Sequence, residues 1–148
     1  MALIRSALLL LMFGTALADE HRAHVNYMLH CQGCHLPGAE GFEGKVPPIR
    51  NFVGYFLHSE EGRQFLIRVP GVAHSALDDV ELAELMNWLV TTFSADQLPE
   101  PFAPFTAMEV AAFRSDPELD PEATRERIIG DLAKDLPSLS ADIERGTR

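Results

Sequence analysis

The sequence is poor in cysteine, in basic charge and in any strand-like alternation. Its 148 residues include two cysteines and one tryptophan, and 12 Lys and Arg stand against 22 Asp and Glu, a net of −10 at pH 7. Two cysteines cannot by themselves complete a four-ligand structural zinc site. No basic patch exists to neutralise phosphates, which excludes nucleic acid as a partner and disfavours an anionic membrane surface. No βαβ pattern surrounds the cysteines, as it would in a thioredoxin-like protein. Nothing resembles a hydrolytic triad, a paired-carboxylate site or a phosphate loop, and there are no internal repeats or low-complexity tracts. The length allows one domain and hardly two.

Long apolar runs are confined to the N-terminus. Arg5, then Ala7 to Phe13, then Ala16-Leu17-Ala18 read as the charged, apolar and cleavage regions of a secretory signal over residues 1–18, cut after Ala18. The run is too short for a membrane-spanning helix. A retained anchor is the alternative, and no cysteine follows the cleavage site to carry a lipid. Removing residues 1–18 leaves 11 basic residues against the 22 acidic ones, a net −11. Such a charge either steers association with a basic partner or keeps an exported protein soluble. The location implied is the periplasm, with no membrane anchor.

What is present is Cys31-Gln32-Gly33-Cys34-His35. C-x-x-C-H is the covalent attachment sequence for a c-type haem. Two thiols three positions apart lie on one side of a single helical turn. There both can form thioethers to a haem's two vinyl groups, and the following histidine can ligate the iron.

Around this motif the pattern is helical. Asp19 to His30 reads as a helix with Val25, Met28 and Leu29 turned inward and with His21, His24 and His30 on the surface. Leu36 to Gly44 reads as loop, and Val46-Pro47-Pro48-Ile49 as an extended strip. A carbonyl of that strip could accept the second ring N–H of His35; a surface turn is the alternative. Phe52 to Phe56 is a short apolar segment. Ser59 caps a helix that buries Phe65, Leu66 and Val69 and ends at Pro70-Gly71, with His58 on the surface. Val72 to Ala76 is loop. A helix capped by Asp78 runs to about Thr92 with Leu82, Leu85, Met86 and Leu89 as its inward stripe. Leu98 to Phe105 is a proline-rich linker. Thr106 and Glu109 form a capping box for a helix through Arg114. Asp120-Pro121 opens a last helix to about Asp135, with Ile128, Ile129, Leu132 and Leu136 on one side. Residues 137–148 are expected to fray.

With these pieces the chain resembles a class I mono-haem c-type cytochrome over residues of about 20–93. Tyr27 and Trp88 stand where that family has aromatics on its first and last helices. Gly44-x-x-Pro47-x-Ile49 is similar to the family's stretch behind the proximal histidine. The resemblance implies an all-α, cytochrome c-like domain over residues 19–93 around one haem c, held through Cys31 and Cys34 and ligated by His35. Residues 94–148 fall outside it, as a Pro-linked helical extension packing on the domain or on a partner.

The family usually supplies a methionine as sixth ligand from the loop before the last core helix. No methionine lies between Val69 and Leu85, and His74 is the good ligand in that loop. Three arrangements stay open: His74 as distal ligand, a methionine from elsewhere such as Met108, or an open position. Met86 and Met28 read as core residues. The implied function is one-electron transfer, not enzymatic catalysis, between a dehydrogenase and an oxidase or another cytochrome, as a free carrier or as a dehydrogenase subunit. The alternative is a haem protein with an open or displaceable sixth site for a diatomic gas or peroxide.

Overall fold

The computed structural model describes residues 19–144. The leader expected over residues 1–18 lies outside the described residues, as do residues 145–148. Among the described residues there is no strand, only an isolated antiparallel bridge between Phe42 and Val46. The fold is all-α, as the periodicity predicts.

In chain order the helices are α1 (residues 19–30), α2 (Gln32–His35), α3 (Glu60–Arg68), α4 (Pro70–Ala73), α5 (Asp79–Phe93), α6 (Ala107–Arg114), α7 (Pro121–Asp135) and α8 (Pro137–Glu144). Two 3₁₀ segments, Val53–His58 and Ala95–Gln97, join them.

Helix α1 crosses α5 through an aromatic cluster. The Tyr27 ring lies 5.7 Å from Trp88 and 5.3 Å from Phe93, and Trp88 meets Phe93 edge-on at 5.4 Å. Tilted and edge-on pairs at this spacing align a positive ring edge with a negative face. The inward face of α1 is Ala23, Asn26 and Tyr27, whereas Met28 and Leu29 are 45% and 72% exposed. This corrects the inward face expected from Val25, Met28 and Leu29. Small Ala23 lets the helices approach, and Tyr27, four residues on, fills the crossing. At its rim Arg22 bonds Glu84 of α5.

The caps are those read from the residues. Ser59 Oγ accepts the Gly62 N–H, Asp78 and Glu81 form a reciprocal box on α5, and Thr106 and Glu109 do so on α6. Asp120 accepts the Ala123 N–H at the start of α7. On α5, Leu82, Leu85, Met86 and Leu89 are buried. On α3 the buried residues are Gly62, Phe65, Leu66 and Ile67, while Val69, just past its end, is half-buried. Gly62 lies against the Phe56 carbonyl, where a Cβ would collide.

Two segments differ from expectation. Pro70–Ala73 is a further helical turn, because Pro70 at its first position has the φ that starts a helix and no N–H to leave unpaired. Pro137–Glu144 restarts a helix in the same way where fraying was expected. Leu139 anchors it, fully buried, and Asp142 accepts the Tyr55 phenol hydrogen at 2.8 Å.

Residues beyond Phe93 share the hydrophobic cluster of the residues before it, through Phe105, Val110, Ile128, Ile129, Leu132 and Leu139. Arg63 of α3 stacks over the Phe105 ring at 4.2 Å, bonds Glu109 at 2.9 Å and donates to the Ala103 and Pro104 carbonyls. The Asn87 amide pairs with both backbone groups of Phe105. Arg68 holds Asp116, and Arg127 of α7 holds Glu61.

Candidate functional site

Helix α1 runs straight into the cysteines. The Cys31 N–H donates to the Tyr27 carbonyl at 2.9 Å, and the Cys31 carbonyl accepts both the Cys34 and the His35 N–H at 3.0 Å. Residues 31–35 are therefore one turn, the arrangement that the C-x-x-C-H spacing predicts. Cys31 is half-buried against the core cluster and Cys34 is exposed, and both are free thiols. Burial pushes the Cys31 thiol up to about 11, with the Cys34 charge adding to it. A disulfide-exchange site needs the opposite shift, since its thiolate is the nucleophile. That argues against a redox dithiol.

His35 is half-buried, and its Nδ1 is buried without a hydrogen bond of full geometry. Burial lowers its pKa, opposed by the nearby Pro47 carbonyl. Burial thus favours the neutral imidazole, the form that coordinates a metal. The chain reaches this arrangement through a tight return. The Gly41 N–H donates to the His35 carbonyl at 3.2 Å, and Phe42 and Val46 exchange bonds at 2.9 and 2.8 Å. Gly41, at φ +74, touches the Val46 and Pro47 carbonyls where any Cβ would collide. The proline strip is thereby set beside His35.

Two features hold the turn from behind. Leu36 leaves it at φ 61, ψ 166, a backbone region that side-chain-bearing residues rarely enter. The Tyr27 hydroxyl donates to the Leu36 carbonyl at 2.6 Å.

This donor set suits a covalently held haem. It offers two thiols on one turn and, directly after them, an imidazole whose burial favours the neutral form. Among the described residues no three His, Cys, Asp or Glu side chains gather to hold a bare metal ion.

The candidate distal residues are scattered. His74 is the exposed C-terminal cap of α4, on a different element from His35. Val69 and Val72, just before it, pack against the hydrophobic core. Met86 is buried on the inward face of α5. Met108 is 84% exposed on the outer face of α6. Met28 lies on the outer side of α1, contrary to its reading as a core residue. His58 is exposed and bonds the Gln97 carbonyl, and His24 is exposed and stacks on Trp88.

Three participants had no sequence signature. The Tyr27 hydroxyl is one. Another is the Asn26 amide, buried on α1 with its Nδ2 unpartnered. The third is Arg114, which reaches from α6 to the carbonyls of Ala73, Ser75 and Leu77. An arginine in a last helical turn reads as a complement to the helix dipole and gives no hint of such contacts.

No protein-family model matches the chain. Among curated proteins, the cytochrome c-552 of Thermus thermophilus is 31% identical over 124 residues, covering 72% of this chain and 82% of the relative. A second cytochrome c-552 from that organism is 30% identical over 103 residues, covering 57% and 79%. With relatives of this extent, an all-helical fold and a single-turn C-x-x-C-H, the chain belongs to the class I c-type cytochromes.

Proposed function

We propose that the protein is a periplasmic one-electron carrier that accepts electrons from a dehydrogenase and passes them to an oxidase or another cytochrome. Cys31 and Cys34 would form the two thioethers, His35 would ligate the iron through Nε2, and His74 would supply the sixth ligand. Haem c, when bound, supplies a one-electron iron couple whose potential follows its axial ligands and the dryness of its pocket. The chain's part is to hold and tune. The Pro47 strip beside His35 would help orient the imidazole, and Tyr27 locks the exit of the turn.

The observation that carries this reading is the half-buried His35 imidazole, directly after two thiols on the same turn. The secretory-signal pattern read in residues 1–18 supports a periplasmic location. No helix among the described residues is long and apolar enough to cross a membrane. The net charge of −10 supports a partner with a basic docking surface.

The test is expression with a cytochrome maturation system, followed by a denaturing gel stained for haem and by optical spectra into the near infrared. Haem surviving denaturation in the parent, and lost from Cys31→Ala/Cys34→Ala, is the expected result. A low-spin ferric spectrum without a sulfur-to-iron band, turning high-spin in His74→Ala, assigns the sixth ligand. A sulfur-to-iron band overturns His74 in favour of a methionine.

The exposure of His74 favours a second reading, a displaceable sixth site that binds a diatomic gas or peroxide. Carbon monoxide separates the two. A carrier with two firm ligands refuses it at neutral pH, and a sensor or enzyme takes it quickly.

A further inference from the structure

The loop between α4 and α5 is held from a distant part of the chain. Arg114, the last residue of α6, directs Nε to the Ala73 carbonyl at 3.1 Å, Nη1 to the Leu77 carbonyl at 2.9 Å and Nη2 to the Ser75 carbonyl at 2.5 Å. Nη1 also meets Asp79 Oδ1 at 3.2 Å, at the start of α5. The arginine side chain is only 17% exposed. A guanidinium presents its donors in a rigid planar fork, so four bonds from one such group fix the shape of what they grip. Here they grip alternate carbonyls along residues 73–77. His74 sits between two of them, with its side chain exposed.

We infer that Arg114 is a positioning residue for His74. By fixing the carbonyls on either side, it sets the direction of the imidazole and how firmly that ring holds the sixth coordination position. The C-terminal extension thereby reaches the redox centre through one side chain. This inference rests on the reading of His74 as distal ligand. Lysine cannot replace the fork, because a single ammonium cannot span three carbonyls in fixed directions.

A merely structural role is separable, because a second arginine fastens the same extension elsewhere. Arg63 binds Glu109 and the Ala103 and Pro104 carbonyls, and none of its hydrogen bonds goes to residues 73–77. Loosening the extension at Arg63 and loosening it at Arg114 should therefore differ at the iron.

The experiment compares holoproteins of the parent, Arg114→Lys, Arg114→Ala, Arg63→Ala and His74→Ala. It reads the ferric spin state and the rate at which the reduced protein binds carbon monoxide. Both Arg114 variants are expected to gain high-spin character and to bind carbon monoxide at least about tenfold faster, the effect of losing a multi-bond hold. Arg63→Ala is expected to stay within about twofold of the parent, since it shares no partner with the loop. If Arg114→Ala gives no holoprotein, Arg114→Lys, which keeps the charge, decides. Arg114 variants that match the parent while His74→Ala turns high-spin overturn the inference alone. Equal effects from Arg63→Ala and the Arg114 variants overturn it too. An unchanged spectrum in His74→Ala overturns the assignment of the distal ligand, and this inference with it.

Discussion

Tyr27 donates its phenol hydrogen to the Leu36 carbonyl at 2.6 Å, tying the helix before the C-x-x-C-H turn to the residue just after it. Burial pushes the phenol up to about 12, so it stays a donor throughout the ordinary pH range. Tyr27→Phe would keep the ring between Trp88 and Phe93 and leave the carbonyl without its partner. The expected cost is about 1 to 2 kcal/mol, seen as a lower urea midpoint at unchanged slope. A midpoint equal to the parent's would show that the bond contributes nothing.

Leu36 itself occupies strained backbone, with φ 61 and ψ 166. Leu36→Gly would relieve strain worth roughly 1 to 3 kcal/mol, against roughly 0.5 to 1 kcal/mol of glycine entropy and some lost burial. The variant should unfold within about 1 kcal/mol of the parent. Leu36→Val should be clearly less stable, since a β-branched residue tolerates positive φ worst. Denaturant titration of the pair checks the order, and a valine variant as stable as the glycine one would contradict it.

Acid should loosen the extension. Arg63 draws the Glu109 carboxyl down from 4.5 to about 2, with the Thr106 backbone and hydroxyl helping. A depressed carboxyl gives stability that is complete above its unfolded value and is lost as pH falls through its folded one. The contribution is therefore present above pH 4.5 and disappears between there and about 2. Glu61, lowered by Arg127, has the same sign. Melting temperatures across this window should fall more steeply for the parent than for Glu109→Gln. Parallel curves would remove Glu109 from the account.

Helix α8 should matter despite its place at the end of the described chain. Leu139 is fully buried in the common cluster. Leu139→Ala should cost about 2 to 5 kcal/mol by thermal or chemical denaturation, the range for emptying a packed leucine site. A loss under about 0.5 kcal/mol would mean that the helix is only loosely attached.

What could be read from the residues alone has a physical boundary. Caps at Ser59, Asp78, Thr106 and Asp120 are local chemistry, a side-chain oxygen meeting an N–H two or three residues on, so adjacent residues announce them. The stripe on α5 is equally local. The inward face of α1 was misread, because Met28 and Leu29 are as apolar as any core residue and only the partner helix decides which side is covered. Pro70 and Pro137 look like stops and are starts, since proline does both. In the site, Cys31, Cys34 and His35 are announced by their spacing. The hold of Arg114 on Ala73, Ser75 and Leu77 is not, because backbone carbonyls are the same in every residue.

The ties that fasten the C-terminal arm run far back along the chain. Tyr55 meets Asp142 across 87 positions, Glu61 meets Arg127 across 66, and Arg63 meets Glu109 across 46. Each lets the chain close a large loop before any contact rewards it, and such closures slow folding relative to a bundle of neighbouring helices. The middle of the chain also cannot finish until its end has arrived. Arg114 is made long after Cys31, Cys34 and His35, so the C-x-x-C-H turn emerges while the loop around His74 is still without its fastening. Assembly then has a natural order, with the early turn formed first and the loop around His74 fastened only when α6 arrives.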